Sequence, residues 1–131
     1  MASEPSVPIL VIDDNPVNVK LARAVLARAG YEVTTAGDGQ TALASIAHRM
    51  PALIITDLML PDLTGFDLAV RLKQDDRYCR IPIIAMTASG IANDAERAKA
   101  AGCDAFMLKP FEMDALLTLV AKLLNELPES R

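Results

Sequence analysis

The sequence predicts an α/β fold, a doubly wound five-stranded parallel sheet with five helices, and three observations carry that reading. Five short apolar runs alternate with segments of helical period. Four of those runs are nearly continuous in apolar residues, the pattern of strands covered on both faces. The same four end in side chains able to do chemistry. In sheets of this kind ligands bind beyond the carboxyl ends of the strands, where the strand order reverses.

PILVID (8–13), ALIITD (52–57), IPIIAMT (81–87) and DAFMLK (104–109) form the four apolar strands, and the more polar EVTTA (32–36) reads as an edge strand. In the first helix Asn15 caps the start, Pro16 suits the first position, Ala22, Val25, Leu26 and Ala29 share one face, and Gly30 ends it. A second helix begins near Asp38 and presents Ala42, Leu43 and Ile46. Pro61, Asp62 and Gly65 make a turn-rich connection to a third, which carries Leu68, Ala69 and Leu72. The fourth has Asn93 as its cap, Glu96 three residues on and Gly102 as its stop, with mainly Ala95, Ala98, Ala100 and Ala101 inside. Alanine favours helix but buries little area, and at about 25 cal/mol per Å² this helix docks weakly; it is expected to shift most easily. The last helix, from about Glu112, sets Leu116, Leu117, Val120, Leu123, Leu124 and Leu127 along a broad stripe.

The 131 residues suit one domain, which should bury roughly two thirds of the surface its unfolded chain exposes. The expected division is a flexible segment over 1–7, the domain over 8–127 and a tail over 128–131. Hydrophobic residues make up 52% and charged residues 23%, and no apolar run approaches the ~20 residues that span a bilayer. The opening MASEPSVP lacks the basic and apolar regions of a secretory signal, so a cytoplasmic location without membrane insertion is expected. Cys79 and Cys103 lack metal-ligand spacing and are expected to stay reduced and fill space. A net charge of −4, an isoelectric point near 4.9 and the lack of a basic stripe argue against direct DNA binding. His48, the one histidine, falls near the end of the second helix, where a cation is mildly favoured, and no ligand role is expected of it.

Residues 53–60 read LIITDLML, a carboxylate at the end of a run that otherwise leaves water. Burying an unpaired carboxylate is unfavourable enough that the chain must supply a partner. The other strand ends supply candidates: Asp13 with Asp14, Thr87 and Lys109. Three carboxylates brought together repel by up to about 4 kcal/mol per pair at ~4 Å with an effective dielectric near 20, unless a cation lies among them. Oxygen-only ligands suit a hard ion such as Mg²⁺. A metal, an ammonium and a hydroxyl around one free carboxylate suit phosphoryl transfer, with Asp57 attacking phosphorus to give an acyl phosphate.

At these residues the chain resembles the receiver domains of two-component response regulators, through VIDDN, TDLMLPDLTG, MTAS and LKPF in the family's order and spacing, from Ile9 to about Leu124. The stretches VIDDNPVN, LKQDD, IPIIAMTA, DAER and AGCDAFMLKP resemble single-domain receivers of cell division and polarity, and the receivers of hybrid kinases. The resemblance implies a flavodoxin-like fold with strand order 2-1-3-4-5. It implies that Asp57 accepts phosphate from a histidine kinase or histidine phosphotransfer protein. Asp14 would bind Mg²⁺ directly, Asp13 mainly through water, and the Met59 backbone carbonyl would be another ligand. Lys109 would pair with the acid and later with the phosphoryl oxygens, its ammonium aimed into the site by a cis bond between Lys109 and Pro110. Thr87 would swing toward the phosphoryl group and Phe106 would turn inward, displacing the fourth helix. Met59 and Ser89 occupy places that influence how quickly water removes the phosphoryl group, and an apolar Met59 is expected to shield the site.

The implied output is a protein target that binds the face of the fourth helix, fifth strand and fifth helix; pairing of two copies on phosphorylation is left open. Fewer than ten residues follow the final helix, so an effector domain is not expected within this chain. Such a domain assists only its own phosphorylation and dephosphorylation and is not otherwise an enzyme. A constitutive interaction module would lack one of the acids or the lysine, and none is missing. A phosphatase of the dehalogenase type needs a second Asp where Met59 stands. Neither GxGxxG nor GxxxxGK follows the first strand, which counts against nucleotide binding.

Overall fold

A computed structural model describes residues 7–87, 94–109 and 112–125. Strands and helices alternate: β1 (Pro8–Ile12), α1 (Pro16–Arg28), β2 (Glu32–Ala36), α2 (Gly39–His48), β3 (Leu53–Asp57), α3 (Gly65–Lys73), β4 (Ile83–Thr87), α4 (Asp94–Ala100), β5 (Ala105–Leu108) and α5 (Met113–Asn125). All strand pairs are parallel and the sheet order is 2-1-3-4-5, as expected. The order reverses between β1 and β3, the point at which sheets of this kind bind ligands beyond the strand ends.

The period of two along each strand divides the interior into two cores. Leu10, Ile12, Ile54, Ile83 and Ala85 face α2, α3 and α4, meeting Ala42, Ile46, Leu68, Leu72 and Ala98. Ile9, Val11, Leu53, Ile55, Ile84 and Met86 face the opposite way, toward Ala22 and Leu26 of α1 and Leu116, Val120 and Leu123 of α5. Strands β1, β3 and β4 are thus buried on both faces.

The helix boundaries follow local chemistry. The Asn15 side chain accepts from Val17 N and Asn18 N and caps its helix as anticipated, and the Asp38 side chain accepts from Thr41 N and caps the helix expected to begin near it. Gly30 and Gly102 end α1 and α4 with φ of +100° and +101°, a conformation that glycine adopts without steric cost.

Three expectations are corrected. Ala29 is the exposed C-cap of α1, outside its buried stripe, because the helix stops at Arg28 and Gly30 turns the chain away. Gly65 is the first residue of α3, whose cap is Thr64; it is not part of the turn. The apolar DAFMLK run predicts full coverage, but β5 is half-buried because it pairs only with β4 and forms the sheet edge opposite β2. In α4 only Asp94 and Ala98 are buried, in keeping with a weakly docked helix. The expected roles of Asn93 and Leu127 lie outside the described residues.

Candidate functional site

The register of the central strands brings the acids together. Ile12 pairs with Thr56, so Asp13 and Asp57 emerge one step later on neighbouring strands. Asp57 pairs with Met86, placing Thr87 one residue beyond, and Thr87 pairs with Leu108, placing Lys109 beyond that. Main-chain bonds extend the ladders past their ends: Asp13 N donates to Ala36 O at 3.0 Å, Leu58 N to Met86 O at 3.0 Å and Lys109 N to Thr87 O at 2.8 Å. Each side chain therefore leaves from backbone that is already held.

Asp13, Asp14 and Asp57 each offer a carboxylate oxygen, all within 4.8 Å of one another. Asp13 and Asp57 are buried, and Asp14 is exposed at the rim. The Lys109 ammonium lies 2.7 Å from Asp13 Oδ2 and 3.2 Å from Asp57 Oδ2. Asn15 N donates to Asp13 Oδ1 at 2.9 Å, and Met59 N donates to Asp57 Oδ1 at 3.3 Å. The cluster thus holds three carboxylates and one ammonium, an excess of negative charge. The donors are all oxygen, so the set fits a hard divalent cation.

Electrostatics agree with that deficit. Burial pushes the Asp57 carboxyl above its ordinary value, the Lys109 charge and the Met59 N–H oppose it, and the neighbouring Asp13 adds to the rise. Burial pulls the Lys109 ammonium down, but its hydrogen bond to Asp13 and the charges of Asp57 and Asp13 outweigh this, and its pKa is raised. The charged form of Lys109 is thus favoured, while burial disfavours the charged form of Asp57 by more than Lys109 and the Met59 N–H offset.

The remaining expected residues fall as follows. Thr87 is buried at the end of β4. Phe106 is half-buried on β5, packs against the core beneath α4 and lines a cavity of about 420 Å³ with Ala98, Lys99 and Cys103. Met59, at the start of the loop after β3, is 68% exposed. Pro110, with the Lys109–Pro110 bond, and Ser89 lie outside the described residues.

Asp62 has a role that local sequence does not reveal. Its Oδ1 accepts from Gly39 N and its Oδ2 from Gln40 N, both at 2.8 Å, so the loop after β3 caps the start of α2. No periodicity or short motif signals this, since the partners lie 23 and 22 residues away.

Residues 9–121 match the response regulator receiver domain family. The chain belongs to that family. Receiver domains are the phosphoacceptor switches of two-component signalling. This receiver is 32% identical over 118 residues to the polar-differentiation response regulator DivK of Brucella anthropi, covering 90% of this chain and 96% of that protein. Chemotaxis response regulator CheY4 of Vibrio cholerae superposes with a TM-score of 0.85 at 29% identity, over 91% of this chain and 99% of that one. The receiver domain of the Pseudomonas aeruginosa PAO1 sensor histidine kinase PA1611, with magnesium coordinated in its active-site cleft, gives a TM-score of 0.86 at 31% identity, over 93% of this chain and 100% of that one. No helix among the described residues is long and apolar enough to cross a membrane.

Proposed function

We propose that Asp57 is the phosphoacceptor of this receiver, taking a phosphoryl group from a histidine kinase or histidine phosphotransfer protein at a site that also holds Mg²⁺. The observation that carries this reading is the three-carboxylate cluster with the Lys109 ammonium against Asp13 and Asp57. Asp14 and Asp57 would hold the ion directly, Asp13 through water, and the Met59 carbonyl would complete the protein's share. Bound there, Mg²⁺ offsets the charge of the carboxylates and of the incoming phosphoryl oxygens.

The chain's own residues then do the positioning. A carboxylate oxygen of Asp57, aimed by β3 and the Met59 N–H, forms the new bond to phosphorus. The bond from phosphorus to the donor imidazole nitrogen breaks, and its electron pair stays on that nitrogen, which takes a proton. Lys109, charged and already placed, follows the phosphoryl oxygens, and the Thr87 hydroxyl donates to another. Movement of Thr87 favours an inward Phe106, and the lightly docked α4 shifts, altering the face of α4, β5 and α5 for a protein partner. The chain's chemistry extends to its own phosphorylation and dephosphorylation.

Incubation with acetyl phosphate or phosphoramidate and Mg²⁺ tests this. One phosphoryl group on the parent, detected by intact mass and mapped to Asp57, is expected, with none on Asp57→Asn. An unmodified parent protein overturns the reading.

A further inference from the structure

We propose that Asp62 is a positioning residue of the phosphoacceptor site, tying the loop that carries Met59 to the first turn of α2. The inference rests on the reading of Asp57 and Met59 given above.

The loop between β3 and α3 runs from Leu58 to Thr64 and is bonded near both of its ends. Gly65 N donates to Leu58 O at 2.9 Å, and Met59 pairs with Thr64 in an isolated antiparallel bridge. These close the base of the loop, and Leu60 and Leu63 pack against the core. Asp62 adds the polar attachment at the tip. Its two oxygens take two of the main-chain donors that the start of a helix leaves free, and Oδ1 also accepts from Leu63 N at 2.9 Å. Charge-assisted bonds at the positive end of a helix are stronger than neutral ones. The Gly39 and Gln40 N–H groups hold the Asp62 carboxyl below its usual range.

Packing supports the same contact. A Cβ on residue 39 would lie 2.5 Å from Leu63 Cγ, so the neighbour of Asp62 rests directly on the helix start, which glycine permits. The end of β2, separated from the start of α2 at Gly39 only by Gly37 and Asp38, is itself joined to the acid site, because Ala36 O accepts from Asp13 N. Asp62 therefore links the Met59 loop to the segment beside Asp13. A loop held at its base and tip keeps the Met59 main chain beside Asp57, where its N–H donates to Oδ1; one free at its tip samples other orientations. Such supporting residues matter to a metal site because they determine how many of its ligands are already in place.

Asp38 provides the control, since it also caps α2, accepting from Thr41 N at 2.7 Å, but does not belong to the Met59 loop. Mg²⁺ affinity is measured by amide chemical shifts for the parent, Asp62→Ala and Asp38→Ala, with thermal unfolding and amide exchange in EDTA. Both variants are expected to melt below the parent. Asp62→Ala alone should weaken Mg²⁺ binding, by about tenfold, and lose protection at Gly39 and Gln40. Asp62→Asn keeps Oδ1 but turns an amide NH₂ toward the Gln40 N–H, so an intermediate loss is expected, and it replaces Asp62→Ala if that variant does not fold. Equal weakening in Asp62→Ala and Asp38→Ala, or parent-like affinity in both Asp62 variants, overturns the inference while leaving the phosphoacceptor reading intact. A parent protein that binds no Mg²⁺ overturns both.

Discussion

Gly65 stands so close to Asp57 that a Cβ on residue 65 would lie 2.6 Å from the Asp57 carbonyl oxygen and 2.9 Å from Leu58 Cα. Both atoms are backbone, so nothing flexible can give way. The start of α3 is thereby pressed against the end of β3, directly behind the carboxylate. Gly65→Ala must push the two apart, and overpacking of this kind costs about 2 kcal/mol. Chemical denaturation is expected to show a lower midpoint with an unchanged slope; a midpoint equal to the parent's would show that the helix start can move freely.

Asp14 is the exposed member of the acid cluster, which separates its effect on folding from its effect on metal. In EDTA, Asp14→Ala should unfold within about 0.5 kcal/mol of the parent, as surface substitutions do. With Mg²⁺ at a hundredfold excess over its dissociation constant the parent gains about 2.7 kcal/mol, and the variant should gain little of it. Thermal scans with and without Mg²⁺ provide the check. Equal Mg²⁺ gains would remove Asp14 from the ligand set.

The pKa of Asp57 sets a pH dependence for the metal-free protein. Burial raises it above the value in the unfolded chain, so the folded state holds the Asp57 proton more tightly than the unfolded state does. The corresponding stabilisation is complete below the unfolded value and is lost as pH rises through the folded one. At neutral pH the ionised group is therefore a net burden, and Asp57→Asn should be the more stable protein in EDTA. That advantage should shrink as the pH falls into the carboxylate range. An Asp57→Asn protein less stable than the parent at pH 7 would contradict the sign.

The two cysteines should react at different rates. Burial, helped by the charge of Asp104 and opposed by Lys73, pushes the Cys103 thiol up to about 11. Cys79 is only half-buried. Because the thiolate is the reactive form, iodoacetamide at neutral pH should label Cys79 well before Cys103. Peptide mapping over time would show it, and simultaneous labelling would mean that Cys103 is more open than its burial indicates.

Much of the fold was legible because its causes are local. The caps at Asn15 and Asp38 bond to N–H groups within three residues, and Gly30 and Gly102 stop helices by their own backbone conformation. The apolar runs that became β1, β3 and β4 announce burial on both faces by composition alone. Even the site was foreshadowed, since residues at strand ends must gather on one edge of a parallel sheet.

What the chain alone determined is thus the list of elements and the chemistry set at their ends. Tertiary structure decided which of these ends touch. Lys109 meets Asp13 across 96 positions because β5 and β1 lie in one sheet at matching heights. The apolar β5 is only half-covered because it falls at the edge, and Asp62 caps a helix that precedes it in sequence because two crossovers leave their loops side by side. Capping and periodicity act over one helical turn or a few strand residues, whereas these contacts depend on strand order, a property of the packed sheet that no short window of sequence contains.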